Sequence, residues 1–95
     1  MTEGSQEKVV RVVVRGRVQG VGFRRHVRQA ARRSGIRGWV RNNPDGSVEL
    51  LAAGEPAAVD AVIEAARSGP PASRVDSVEV RPVAGERIPD TFIVT

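Results

Sequence analysis

Valines at 10, 12 and 14 alternate with Val9, Arg11, Val13 and Arg15, so residues 8–15 predict a strand with one wholly apolar face and one mixed face. Apolar residues on both faces predict a central place in a sheet. From Phe23 to Ser34 the period changes. Phe23, Val27, Ala30, Ala31 and Ser34 form one helical stripe, and Arg25, His26, Arg28, Gln29, Arg32 and Arg33 fall on the solvent-facing remainder. Gly35 follows as the helix stop. Residues 36–42, with Trp39 and Val40 at their centre, and residues 47–53, with Val48, Leu50 and Ala52 on one face, predict two strands. Asn43-Pro44-Asp45-Gly46 joins them as a tight hairpin turn.

A second helix begins at Gly54-Glu55-Pro56, carries Val59, Val62, Ile63 and Ala66 on one stripe, and ends at Gly69-Pro70-Pro71. Residues 75–82 predict a fourth strand, and Pro82 suits an edge or a strand end. Residues 84–90 form a polar loop, and 91–95 a short last strand that docks Phe92. Residues 1–7 lack apolar patterning and predict a disordered tail ahead of a domain over 8–95. The order β-α-β-β-α-β, with a short strand after it, predicts an α+β ferredoxin-like split β-α-β sandwich. Two helices would cover one face of a mostly antiparallel sheet. That architecture serves many functions and selects none.

Composition narrows the partners. A chain of 95 residues makes one domain, with a stability margin on the order of 5–10 kcal/mol. Without cysteine there is neither disulfide nor thiolate chemistry, which fits a cytoplasmic protein. With a single histidine besides, no ligand set for zinc exists and no metal is expected. The polar start is no signal peptide, and no apolar run reaches membrane-spanning length. The net charge of +4 is carried almost wholly by arginine, which points to anionic partners. Phe23, Trp39 and Phe92 are the only aromatics, too few for a base-stacking sheet, so a small anion is expected rather than nucleic acid.

The candidate site for that anion is Gly16-Arg17-Val18-Gln19-Gly20-Val21-Gly22-Phe23-Arg24, set between the first strand and the first helix. Backbone N–H groups at a helix start lack intrahelical partners and lie at the positive end of the helix dipole. The glycines let the chain bend and approach a ligand, and Arg24 adds a planar, permanently charged donor. The stretch is not a dinucleotide fingerprint, because Arg25 stands where its third glycine would be, and no Gly-Lys-Ser/Thr follows to make a Walker loop. On spacing alone, a purely structural strand-to-helix turn fits as well.

Two stretches break that tie. Gly16 to Arg24 resembles the first signature of the acylphosphatase family, and Gly38-Trp39-Val40-Arg41-Asn42 followed by Asp45-Gly46-Ser47-Val48-Glu49 resembles the second. The resemblance spans residues 8–95. It implies metal-independent hydrolysis of an acyl phosphate to carboxylate and orthophosphate. No cofactor is expected, sulfate or orthophosphate is expected to bind as analogue or product, and a monomer is the default expectation. By the same resemblance Arg24 binds the phosphoryl group, Asn42 orients the attacking water, and the backbone of Gln19, Gly20, Val21, Gly22 and Phe23 cradles the phosphate. A carbamoyl-phosphate-handling module, as at the N-terminus of a hydrogenase maturation factor, and a non-catalytic anion- or RNA-binding module are the competing readings. The 95-residue length, without further domains, favours the free-standing enzyme.

The remaining conspicuous residues have ordinary readings. His26 and the arginines at 25, 28, 32 and 33 read as a solvated helix face whose charge also draws anionic substrates. Trp39 reads as packing rather than as a substrate platform. Asp45 reads as a turn residue and Glu49 as a strand-face charge.

Overall fold

The computed structural model describes residues 6–95, so most of the tail expected over 1–7 lies outside the described residues. Glu7, the last tail residue, accepts a hydrogen bond from the Arg37 guanidinium. Seven elements follow in the expected order: β1 (Lys8–Arg17), α1 (Phe23–Arg33), β2 (Arg37–Asn42), β3 (Val48–Gly54), α2 (Pro56–Ser68), β4 (Arg74–Pro82) and β5 (Phe92–Val94). The strands form one sheet ordered β4-β1-β3-β2-β5. Every neighbouring pair is antiparallel except β2 and β5, which run parallel.

Burial follows the sequence pattern. Val10, Val12 and Val14 are no more than 1 % exposed, and they pack with Phe23, Val27 and Ala31 of α1 and Val59, Val62 and Ala66 of α2. β3, paired on both sides, is buried at every residue. Pro82 closes β4, an edge strand, where its missing N–H leaves no ladder bond unmade. The loop after β4 reaches across the open face of the sheet, where Glu86 accepts a hydrogen bond from Arg11 at 3.1 Å.

Gly16 departs from the sequence reading. It belongs to β1, not to the anion-holding turn, and sits where the β1–β4 register shifts between Arg15 and Gly16. Its φ is 132°, and a Cβ there would stand 2.2 Å from the Arg74 carbonyl oxygen. The glycine therefore lets β4 close over a bulge. Gly16→Ala is expected to destabilise the fold by about 2–4 kcal/mol, read as a lower urea midpoint, because backbone rather than a flexible side chain must yield.

Strand order also decides which strand ends and turns meet. β1 and β2 lie on either side of β3 and both run against it, so they point the same way; β5, parallel to β2, points with them. The C-terminal ends of three strands thus meet at one end of the molecule. That convergence brings together the turn after β1, Asn42 at the close of β2, and Val94 at the close of β5.

Candidate active site

The turn is held at both ends and left open in the middle. Val18 is buried and Val21 packs against the core, while Gly20 between them is exposed. Gly20 and Gly22 have φ of 73° and 81°, left-handed values that suit glycine, and a Cβ at either would meet nothing within 4 Å. They are needed for backbone direction, not for space. Such turns aim successive N–H groups toward one concavity, an anion-binding nest.

Gly22 is also the N-cap of α1. Its carbonyl accepts the first helical bond from His26 N–H at 3.1 Å, no side chain caps the helix, and no acidic residue occupies the first turn. The N–H groups of Phe23 to Arg25 are left without intrahelical partners at the positive end of the dipole. Arg24 then adds a guanidinium, whose Nη1 donates to the Thr95 carbonyl at 3.4 Å.

A cavity of about 240 Å³ opens at this point. Gly20, Gly22, Phe23 and Arg24 line it from the turn and helix, and Asn42 from the end of β2. These are five of the seven residues named from the sequence. Gln19 and Val21 are not among the lining residues. The Gln19 side chain points to the hairpin instead: its Nε2 donates to the carbonyls of Asn43 at 2.8 Å and Ser47 at 2.9 Å. One amide thereby ties the turn after β1 to the hairpin turn that follows Asn42. Arg25, Arg28 and Val94 also line the cavity and were outside the site read from the sequence. The i, i+4 spacing of Arg24 and Arg28 was a signal for Arg28; nothing local marks Val94, because its place depends on β5 pairing with β2.

Three of the ordinary readings change. His26 does not face solvent alone: it is half-buried, and its Nε2 lies 3.0 Å from the Ala65 carbonyl of α2, joining the two helices. Arg32 donates to the Phe92 carbonyl at 3.1 and 3.3 Å, fastening β5 to α1. Glu49 is buried to 8 % exposure, with Arg11 at 2.9 Å, Arg41 at 3.0 Å and Asn43 Nδ2 at 3.2 Å. The guanidiniums of Arg11 and Arg41 in turn sit 5.3 and 4.7 Å from the Trp39 ring centroid, so Trp39 is packing, as expected, between two cations. Asp45 is the turn residue it was read as, accepting from Ser47 N–H at 2.9 Å and Ser47 Oγ at 2.6 Å.

Burial alone would raise the Glu49 carboxyl, but its bonds from Arg41, Asn43 and Arg11 outweigh that and hold it below the ordinary glutamate range. A carboxyl depressed in the folded state contributes its stability above its unfolded value, about pH 4.3, and loses it as pH falls through the folded value. Glu49→Gln is expected to cost about 1–2 kcal/mol at neutral pH, a modest figure because Arg41 is 44 % exposed. Part of the acid-induced drop in urea midpoint should disappear with it. The comparison is between urea midpoints at neutral and strongly acidic pH for both proteins.

The family model for acylphosphatase matches residues 10–94, nearly the whole chain. The chain belongs to the acylphosphatase family. It is 57 % identical over 70 residues to an acylphosphatase from Anaeromyxobacter dehalogenans, covering 74 % of this chain and 75 % of the relative. Against the crystal structure of acylphosphatase from Bacillus subtilis it has a TM-score of 0.87 at 37 % identity, covering 95 % of this chain and 99 % of that one. It is also similar to full-length HypF in the phosphate- and nucleotide-bound form, with a TM-score of 0.88 at 28 % identity, but there it spans only 12 % of the larger chain. These relatives make the chain a hydrolase of the acylphosphatase type. Among its described residues no helix is long and apolar enough to cross a membrane.

Proposed function

We propose that the chain hydrolyses the carboxyl–phosphate bond of acyl phosphates, without a metal, as a cytoplasmic monomer. The observation that carries this reading is one cavity that collects an uncapped helix start, the Gly20–Gly22 turn, Arg24 and Asn42. Cations and dipole ends are gathered there without an acidic residue in the first helical turn, an arrangement that an anion relieves.

In this mechanism the backbone of residues 19–23 and the Arg24 fork hold the phosphoryl oxygens and stabilise the charge that develops on them. The Asn42 amide is neutral and cannot act as a base; its carbonyl orients a water in line with the bond to be broken. The water oxygen bonds to phosphorus, the bond from phosphorus to the acyl oxygen breaks, and the carboxylate departs with the electron pair. The water proton passes to a phosphate oxygen. A carboxylate is so weakly basic that it leaves without a general acid, so positioning and charge stabilisation suffice.

Monomeric behaviour is supported by the sheet edges. β4 alternates charged residues and ends in proline, and β5 is only three residues long, so neither offers a template for another chain. The cytoplasmic assignment rests on the absence of cysteine.

Benzoyl phosphate hydrolysis in the presence of a strong chelator tests the activity, with orthophosphate as a competitive inhibitor. Turnover that persists with chelator is the expected result. Phosphate binding without turnover, or a salt-dependent RNA shift in its place, would indicate a binding module instead.

A further inference from the structure

We propose that Arg25 and Arg28 form a subsite for the acyl group and select acyl phosphates that carry a second negative charge beyond the acyl carbon. This rests on the activity proposed above and adds the class of substrate. The first support is a ladder of arginines on α1. Arg24, Arg28 and Arg32 recur every fourth residue and so share one helix face. Arg32 is tied to the Phe92 carbonyl, and Arg24, which keeps only a long 3.4 Å bond to the Thr95 main-chain oxygen, is given to the phosphoryl group in the mechanism above. Arg28, half-buried between them, lines the cavity, and Arg25 lines it from the first helical turn.

The ion pairs among the described residues lie elsewhere and engage neither Arg25 nor Arg28. Three guanidiniums near one helix start repel one another and oppose the dipole, and among the described residues no side-chain carboxylate pairs with any of them. One phosphoryl group answers the nest and Arg24. Two further cations remain, and so does space: about 240 Å³ corresponds to roughly eight water volumes, more than a phosphoryl group fills. Apart from the phosphate-holding residues and Asn42, the lining is Arg25, Arg28 and Val94. A short acyl group reaching past Val94 to a carboxylate or phosphate of its own would place charge against those two guanidiniums.

The test compares benzoyl phosphate with its 3-carboxy and 4-carboxy derivatives, which share leaving-group chemistry and differ in the distal charge. The wild-type protein should favour a carboxylated substrate by roughly tenfold in kcat/KM at low salt, the scale of one charge-assisted hydrogen bond in a half-open site. The preference should shrink as ionic strength rises. The Arg25→Gln/Arg28→Gln double variant should lose it mainly through KM, while Arg28→Lys, which keeps the charge, should retain most of it. Glutamine is a good helix former, so α1 should persist, as circular dichroism would check. Hydrolysis of all three substrates with no preference, or equal losses on all of them in the double variant, would overturn the subsite and leave the activity standing. Hydrolysis of none by the wild-type protein would overturn both.

Discussion

Arg24→Ala is expected to lower kcat/KM on benzoyl phosphate about 10³-fold or more, the scale for removing a principal donor from a preorganised site. The size follows from what surrounds the position. Arg24 sits in the first turn of α1, beside N–H groups that have no intrahelical partners, and lines the cavity together with Asn42. Its one hydrogen bond among the described residues is a 3.4 Å bond to the Thr95 main-chain oxygen, so the fold should lose little when it goes. A large kinetic effect with a small shift in unfolding midpoint is therefore the diagnostic pattern. Arg24→Lys should recover little, because an ammonium is a point charge and cannot span two phosphoryl oxygens as a planar fork does. A loss below tenfold in Arg24→Ala, in protein of wild-type stability, would remove Arg24 from the mechanism.

Asn42→Ala is expected to divide the kinetic parameters differently. kcat should fall about 10²-fold or more, the scale for losing the orientation of a reacting group, whereas the inhibition constant of orthophosphate should hold. Asn42 ends β2 with its side chain exposed to the cavity and its backbone paired with Val48, so alanine leaves the strand ladder intact. In the proposed mechanism the phosphate is held by the turn and Arg24 rather than by Asn42, which is why affinity should survive. Weaker phosphate binding with intact turnover would reverse the assignment and make Asn42 a phosphate ligand. Measuring kcat and phosphate inhibition on the same preparation separates the two outcomes.

The two variants together also test how the site is assembled. Gln19 bonds the turn after β1 to the carbonyls of Asn43 and Ser47, and Asn43 and Ser47 are linked to Asp45 and Glu49. The distance between the turn after β1 and the Asn42 amide is thus set by hydrogen bonds that never touch the cavity. Burial of Glu49 behind Arg11 and Arg41 stiffens the same hairpin from the open face of the sheet.

Much of this was legible in the chain because it depends on neighbours in sequence. Alternation from Val9 to Val14 gave a strand buried on one face and half-covered on the other, and it proved central. Asn43 to Gly46 closed as a turn, with Gly46 N–H donating to the Asn43 carbonyl at 3.1 Å. The stripe of Phe23, Val27 and Ala31 faced the core. Arg24 and Asn42 were named from two separate signatures 18 residues apart, and both line one cavity.

What local pattern cannot carry is which strands meet. Periodicity assigns each strand a buried face but not its neighbours, since pairing partners are distant in sequence and their order is decided by packing the whole sheet. The Asn43–Gly46 hairpin signal paired β2 with β3, but only the tertiary structure put β5 parallel to β2 and so delivered Val94 to the cavity. It also moved Gly16 from the turn into a β1–β4 bulge, buried Glu49 between two guanidiniums, and gave His26 a carbonyl on α2 to meet. The chain by itself determined its elements, its turn chemistry and the donors suited to a phosphate, all of which act over a few residues. The strand order determined that those donors and the Asn42 amide line one cavity, because only the closed sheet brings the ends of β1, β2 and β5 to one place.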